Sequence, residues 1–334
     1  MSRSRSSGPV RLSRLSALAS VVGLLLLLMG GEGRADSFDS WLQKVKQDAL
    51  AAGISQATVT AALSGVRPMP DVLDKDRHQP ESTMTFAQYL PLVVSEKRVA
   101  DGLGFMHQHA ALLRRVGAAY GVQPRFIVAL WAVESDYGRI MGSYPVVTAL
   151  ATLAYGSSRP AMFRSELLAA LRIIDHGDVT AAGMTGSWAG AMGQCQFMPS
   201  SFLQYAVDFD GNGRRDIWTD EADVFASIAN YLGKLSWRAD ETWGRPVRLP
   251  PGFDARLIGL KVEKPLAQWQ RLGVRAVDGS ALPGAALSAS LVAPDGPSGP
   301  AYLVYGNFRS LMRWNRSTFF ATSVGLLADR FGNG

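Results

Sequence analysis

The chain is poor in cysteine, and this absence excludes two kinds of protein. Its 334 residues include one cysteine, Cys195. No disulfide can therefore form within the chain, and no cysteine follows the N-terminal apolar segment, where a lipoprotein would need one. We expect the hydrophobic core, with a bound ion as an additional element, to hold the fold, and we expect no catalytic thiol.

The sequence also lacks a strong excess of charge once its first segment is set aside. The formal net charge is +6. Residues 1–35 hold five arginines and one glutamate, a net charge of +4, so the remaining residues carry +2. This balance gives no support to nucleic-acid binding.

A second long apolar run is missing as well. The single long apolar run covers residues 15–28. Four arginines within residues 3–14 precede it, and Gly33-Arg34-Ala35 follows it. It is short for a bilayer span of about 20 residues. This order predicts a cleaved secretory signal peptide at 1–35 and a periplasmic product without a lipid anchor; an uncleaved membrane anchor is the alternative.

Helical periodicity dominates the rest of the chain. Over the full sequence, 47% of the residues are hydrophobic. The pattern predicts an N-terminal helical region at 36–110, a helical core at 111–245, a small β-rich subdomain at 246–306, and C-terminal helices at 307–334 that pack on the core. The polar segment 74–81 is predicted as a surface loop, and Asn307 as a helix cap. We found no internal repeat.

One apolar helix ends in a carboxyl group. Pro124 suits a first helical turn, residues 126–133 are apolar on every face, and Glu134 follows at the C-terminal end. Burial and the negative end of the helix both disfavour the charged form, so the pKa of Glu134 should rise, as a general acid requires. The alternative is an exposed helix end where Glu134 pairs with Arg139. Asp136 should be structural, because residues two apart on a helix point away from each other.

Oxygen-bearing side chains recur at alternate positions in the spacing of an EF-hand calcium loop. Asp208, Asp210 and Asn212 occupy these positions, and Arg214 would contribute its backbone carbonyl. Thr219 stands where the closing glutamate is expected. We predict weak binding of a structural calcium ion; a turn rich in Asp and Asn that holds no metal is the alternative.

Four motifs occur in an order that resembles a known family. They are Asp76-Arg77-His78-Gln79-Pro80-Glu81, Trp131-Ala132-Val133-Glu134-Ser135-Asp136-Tyr137-Gly138, the run from Ser187 to Ser201 that contains Ala-Gly-Ala-Met-Gly and Phe-Met-Pro-Ser-Ser, and Trp314-Asn315-Arg316-Ser317. The chain resembles the membrane-bound lytic murein transglycosylase B family, glycoside hydrolase family 103, over about residues 37–331.

The resemblance implies a mainly α (α+β) fold, with a lysozyme-like helical catalytic core, an EF-hand-like loop and a small β-rich subdomain. It implies a lyase that cleaves the β-1,4 bond between N-acetylmuramic acid and N-acetylglucosamine in peptidoglycan and forms 1,6-anhydromuramoyl products. No cofactor is required for this chemistry. The expected partners are peptidoglycan glycan strands, with other cell-wall enzymes as a further option, and the expected state is a monomer.

The resemblance also assigns roles to individual residues. Glu134 is the catalytic acid/base, and Asp223 is the late calcium ligand. The glycan-contacting positions are Ser187, Gln196, Arg159 and Asn315. The chain departs from the family at Ser158, where an arginine pair is usual, and at Phe320, where tyrosine is usual.

Two other functions remain open from the sequence. A non-catalytic peptidoglycan-binding module would keep the fold but would not need Glu134. A hydrolysing muramidase would keep Glu134 but would need a positioned water and usually a second carboxylate. The chemistry of the products separates the hydrolase from the lyase.

Overall fold

The computed structural model describes residues 37–77 and 84–332. The predicted signal peptide at 1–35 lies outside the described residues, as do residues 78–81 of the first motif. Within the described ranges, no single helix is long and apolar enough to cross a membrane. Two consecutive helices, at 110–120 and 124–135, meet the test only when they are joined, and they are bent by 106° at their break.

Helices dominate the described residues, and several start at side-chain caps. Ser37, Ser55 and Ser95 each accept a hydrogen bond from a backbone N–H in the first helical turn, and Thr85 forms a capping box with Gln88, so the sequence itself fixes these starts. The helices are α1 (Phe38–Ala51), α2 (Gln56–Leu63), α3 (Pro70–Arg77), α4 (Phe86–Val93), α5 (Glu96–Gln108), α6 (Ala110–Tyr120), α7 (Pro124–Ser135), α8 (Val146–Gly156), α9 (Pro160–Asp175), α10 (Pro199–Tyr205), α11 (Glu221–Lys234), α12 (Leu266–Arg271), α13 (Gly306–Trp314) and α14 (Thr318–Phe331).

Helix α7 lies at the centre of the main core. It packs against α5, α6, α11 and α14, and every residue from Phe126 to Ala132 is buried. Helices α8 and α9 pack closely against each other. Helices α1, α2, α3 and α10 pack against this pair. The all-round apolar sequence of α7 is therefore explained by contacts on every side.

The strands form two antiparallel sheets. Strands β1 (Tyr144–Pro145) and β2 (Thr185–Gly186) pair as a small ribbon. The larger sheet has the order β4-β6-β7-β3-β5, in which the strands are β3 (Gly244–Arg248), β4 (Gly259–Pro265), β5 (Arg275–Ala276), β6 (Ser288–Val292) and β7 (Ala301–Val304). One face of this sheet covers a separate small core around Trp269. The predicted fold class, mainly α with a small β part, is confirmed.

Two local predictions were wrong. Asp74–Arg77 were expected in a surface loop, but they form the last turn of α3, where Lys75 and Arg77 suit the negative helix end. Asn307 was expected to cap a helix, but it lies inside α13. Its buried amide instead donates to the backbone carbonyls of Arg238 and Glu241.

Candidate active site

Glu134 is the penultimate residue of α7. The helix ends at Ser135, and the next two residues, Asp136 and Tyr137, have φ values of 50° and 61°. Two non-glycine residues in the left-handed region are unusual and turn the chain sharply away from the helix. As a whole residue Glu134 is half-buried, and protein atoms surround its carboxyl group.

The partner of Glu134 is an aromatic side chain from the other end of the sequence. Trp314, the last residue of α13, donates a hydrogen bond from Nε1 to Glu134 Oε1 at 2.5 Å across 180 residues of sequence. Its ring lies 5.3 Å from the ring of Phe197 and 4.5 Å from that of Tyr231, centre to centre. Glu134 therefore meets a mostly aromatic surface with one strong donor.

This surface controls the ionisation of Glu134. Burial raises its pKa from the ordinary value of 4.5 to about 8, against the opposing effect of the Trp314 hydrogen bond. Burial, with the nearby Glu134 charge as a smaller cause, raises the pKa of Tyr89. Burial first, and then the charges of Tyr205 and Glu134, raise the pKa of Tyr231 to about 12. At neutral pH Glu134 is predominantly protonated, as a general acid requires.

The neighbouring charges do not neutralise Glu134. Arg139, considered above as its partner, donates instead to Asp136 and Asp101, at 2.8 Å each. Arg98 approaches Asp136 at 3.5 Å, and the hydrogen bond from Arg139 is the largest cause that lowers the pKa of Asp136. Asp136 is thus occupied in a charged network that fastens the end of α7 to α5.

The glycine-rich loop that follows β2 lies beside α7. The Oγ of Ser187 accepts a hydrogen bond from the backbone N–H of Ala191 at 3.0 Å. Gly190 and Gly193 both have positive φ, and a Cβ there would lie 2.5 Å from Leu150 and 2.6 Å from the Ile217 carbonyl oxygen. These two glycines are therefore required for close packing of the loop against protein.

Gln196 holds a fixed orientation in the same loop. Its Nε2 donates to the carbonyl oxygens of Met141 at 3.0 Å and Gly193 at 2.8 Å. Two acceptors use both amide hydrogens, so the identity of the nitrogen is determined and Oε1 must face elsewhere. Its φ of 49° is a strained value for a non-glycine residue.

Gln194 joins the loop to α7, and the sequence reasoning missed it. Its Oε1 accepts from Trp131 Nε1 at 2.7 Å, its Nε2 donates to the Trp218 carbonyl oxygen at 2.9 Å, and its own carbonyl accepts from Ser135 at 2.8 Å. All of these atoms are buried. Gln194 therefore sets the position of the C-terminal half of α7, and with it Glu134.

Asn315 and Phe320 lie on either side of the start of α14. Asn315 is exposed, and its Oδ1 accepts from the backbone N–H of Ser317 at 3.0 Å. Phe320 is 6% exposed and belongs to the main core. The ring that replaces the family tyrosine is therefore a packing residue.

Arg159 stands apart from these groups. It lies between α8 and α9, half exposed, and contacts Asp76 at 3.3 Å. It has no contact with Glu134 or Trp314 in the described parts of the chain, while Ser158 beside it is exposed. The contacts that link Glu134 with Trp314, and α7 with the glycine-rich loop, do not extend to Arg159.

The predicted calcium loop brings three carboxylates together. Oxygens of Asp208, Asp210 and Asp223 lie within 4.8 Å of one another, the one such cluster within residues 37–77 and 84–332. Hydrogen bonds from the backbone N–H groups of the loop, that of Gly213 the strongest, lower the pKa of Asp208. Burial first, and then the charges of Asp220 and Asp208, raise the pKa of Asp223 to about 6.

The donor set of the loop is suited to a hard cation. Both oxygens of the buried Asp223 accept backbone N–H groups, from Phe209 and Asp216, at 2.7 Å each. The Oδ1 of Asn212 accepts from Arg214 N–H at 3.0 Å, and Arg214 is exposed. The ligand atoms are thus oxygens held by backbone hydrogen bonds, and a divalent ion would relieve the repulsion among the carboxylates.

Comparison with known proteins identifies the family of the chain. Residues 37–329 match the model of the transglycosylase SLT domain. The membrane-bound lytic murein transglycosylase B of Escherichia coli K12 is 34% identical over 252 residues, which cover 71% of this chain and 64% of that protein. The match therefore spans less than two thirds of the length of this relative.

Solved structures extend the comparison. SltB3 of Pseudomonas aeruginosa, crystallised with NAG-anhNAM-pentapeptide, superposes with a TM-score of 0.87 at 48% identity, over 90% of this chain and 80% of that one. Escherichia coli Slt35, crystallised with calcium, superposes with a TM-score of 0.75 at 30% identity, over 91% of this chain and 95% of that one.

Proposed function

Because the chain belongs to the transglycosylase SLT domain family, we propose that it is a lytic transglycosylase that cleaves the β-1,4 bond between N-acetylmuramic acid and N-acetylglucosamine in peptidoglycan. One observation carries the proposal. The carboxyl group of Glu134 lies against the indole of Trp314, and burial raises its pKa to about 8. A carboxyl that stays protonated at neutral pH can donate a proton to a leaving oxygen.

The proposed reaction uses Glu134 twice. As an acid it gives its proton to the glycosidic oxygen, and the bond from C1 of the muramoyl residue to that oxygen breaks. The acetamido oxygen of the same sugar stabilises the positive charge at C1. Glu134, now a carboxylate, takes the proton of the C6 hydroxyl as O6 bonds to C1. A 1,6-anhydro ring forms, and no water is consumed.

Within residues 37–77 and 84–332, the lack of a second carboxylate against Glu134 supports this route. Ordinary glycosidases need two carboxyl groups at a defined separation. No other carboxylate among the described residues bonds to Glu134 or shifts its pKa, and Asp136 is engaged by Arg139. An internal nucleophile removes the need for a second carboxylate.

Substrate contacts are proposed at four residues. Gln196 offers an oriented Oε1 because its nitrogen is fully used. Asn315 offers its amide nitrogen because its oxygen accepts the backbone N–H of Ser317. Ser187 lies in the glycine-rich loop beside α7. Arg159, which is farther from Glu134 along the contact network, would bind an anionic part of the muropeptide as a single cation, since Ser158 supplies no second one.

A structural calcium ion is proposed for the acidic loop. Asp208, Asp210, Asn212 and Asp223 would supply side-chain oxygens and Arg214 its carbonyl oxygen. The ion would stabilise the turn that precedes α11, and it has no role in the chemistry at Glu134. An increase in melting temperature with added calcium, absent with magnesium, tests this assignment.

The proposed setting is the periplasm, reached through the signal peptide predicted at 1–35, where the glycan strands of peptidoglycan are the partner. The curated relative is named as membrane-bound, whereas this chain has no cysteine at which a lipid could be attached after the signal. We propose that the exported protein acts as a monomer without a lipid anchor.

Incubation with purified sacculi tests the function. The protein should release soluble muropeptides, and E134Q should release none while still sedimenting with the sacculi. Binding by both proteins without release would support a binding module. Release by both proteins would remove Glu134 from the mechanism.

A further inference from the structure

The hydrogen bond from Trp314 to Glu134 does more than complete the pocket. We propose that Trp314 is a positioning residue that fixes the transferred proton of Glu134 on Oε2 and holds the carboxylate formed after the transfer. The inference rests on the proposed role of Glu134 as acid/base.

The chemistry of the indole group determines the location of the proton. An indole N–H is a donor and never an acceptor, and it points at Glu134 Oε1 at 2.5 Å. Oε1 accepts best as the carbonyl-type oxygen of the neutral acid. The acid proton therefore resides on Oε2, which has no hydrogen-bond partner among the residues that the structure describes. Oε2 is the oxygen left for the glycosidic bond.

Trp314 is itself held rigidly. It ends α13, and the backbone N–H of Asn315 continues the helical bonding to Leu311 at 3.0 Å. The Tyr231 hydroxyl donates to the carbonyl oxygen of Arg313 at 3.1 Å, so the residue before Trp314 is tied to α11. With Phe197 and Tyr231 against its ring, the indole is held in one orientation.

The same bond serves both steps of the reaction. When Glu134 loses its proton, the indole N–H then faces a carboxylate, and a hydrogen bond to a charged oxygen is roughly twice as strong as one between neutral groups. The indole thus favours the proton transfer and limits how far burial raises the pKa of Glu134. The sequence contained Trp314 within a motif but gave no indication of this contact.

An isosteric replacement tests the bond directly. Site-specific incorporation of the benzothiophene analogue at Trp314 keeps the ring shape and removes the N–H. Infrared difference spectra against E134Q isolate the Glu134 carboxyl band in the folded protein without substrate. We expect the band of the neutral acid to move to higher frequency and its titration midpoint to move to higher pH. An unchanged band and midpoint would overturn the inference. Trp314→Phe is the second variant if the analogue folds poorly.

A matched control uses another buried indole. Trp269 donates its N–H to the Ala289 carbonyl oxygen at 2.9 Å in the small core under the sheet. The analogue at Trp269 removes a comparable bond and should leave the Glu134 band and midpoint in place. A shift equal to that of the Trp314 variant would show that general loosening, and not the Trp314 bond, moves the carboxyl group.

Activity provides the second readout. On sacculi, the analogue at Trp314 should lower the rate at the pH optimum about tenfold and move the alkaline limb to higher pH. A uniform loss with an unmoved limb would reduce Trp314 to a structural residue. If the wild-type protein releases nothing, the proposed function fails, while the infrared result still decides the hydrogen bond.

Discussion

The pocket of Glu134 and the acidic loop at 208–223 use carboxyl groups in opposite ways. Glu134 has one hydrogen-bond donor and aromatic neighbours, and burial raises its pKa to about 8. Asp208 accepts three backbone N–H groups, which lower its pKa. Under the proposed function, the neutral acid of Glu134 serves proton transfer, whereas the negative charge of the loop serves a cation.

The difference shows that donor count and water access, more than residue type, decide what a carboxyl group does. Asp223 is intermediate, because it is buried yet accepts two backbone N–H groups. Its pKa of about 6 leaves it mostly charged at neutral pH. A bound divalent ion would favour the charged form further.

Removing the acid from the pocket should have the largest effect. E134Q keeps the size of the side chain and an acceptor for Trp314 but cannot transfer a proton. We expect release of muropeptides to fall at least about a thousandfold, measured by chromatography of soluble products.

Although E134Q should lose activity, it should be more stable than the wild-type protein at high pH. Because the pKa of Glu134 is raised from 4.5 to about 8 in the folded state, the wild-type protein loses stability as pH rises through that interval. The variant has no such group, so its melting temperature should exceed that of the wild type above pH 8 and match it more closely near pH 4. Equal curves at all pH values would contradict the burial of this carboxyl group.

Disturbing the buried ligand of the loop should have the next largest effect. D223N leaves one backbone N–H without its acceptor, so we expect a loss of about 2 kcal/mol in the free energy of unfolding. Stabilisation by calcium should also disappear. Thermal melts with calcium and with chelator measure both effects.

The exposed ligand of the same loop gives the matched control for D223N. D210N should weaken the calcium response while it leaves the stability in chelator nearly unchanged, because Asp210 is exposed. Equal destabilisation by the two variants would contradict the proposed difference between the buried and exposed ligands.

Raising the pH should reduce the activity of the wild-type protein gradually, in contrast to the complete loss expected for E134Q. Because Glu134 must be protonated, kcat/KM should fall about tenfold for each pH unit above 8, the value that burial gives its pKa. Initial rates on sacculi between pH 5 and 10 measure this limb. A limb near pH 4.5 would mean that the pocket does not protect the neutral acid.

The smallest effect is expected at the margin of the site. R159A removes a half-exposed cation paired with Asp76, so we expect KM to rise by about threefold and kcat to stay the same. Steady-state rates with soluble muropeptides check this. A fall in kcat would place Arg159 closer to the reacting bond than its contacts indicate.

Local patterns in the sequence predicted much of the fold. The apolar stretch before Glu134 predicted α7 because a buried helix has no polar face, and the spacing of Asp208, Asp210 and Asn212 predicted the acidic loop. Strands β4, β5, β6 and β7 all lie within 246–306, where the sequence predicted a β-rich subdomain. Each of these signals acts within about ten residues of chain.

Contacts between distant residues could not be predicted in this way. Trp314 meets Glu134 across 180 residues, and Gln194 connects Trp131 with Trp218, so neither role leaves a local pattern. Asn307 illustrates the same limit. An asparagine near a helix start suggests a cap, but its amide donates to the carbonyl oxygens of Arg238 and Glu241 instead. Tertiary partners decide the role of such polar residues.

Mass spectrometry of the soluble products from purified peptidoglycan tests the central claim most directly. The account predicts glycan ends that carry 1,6-anhydromuramic acid with the wild-type protein and their absence with E134Q. Products with reducing muramic acid ends would contradict it, because they would show that water, and not the C6 hydroxyl, attacks C1.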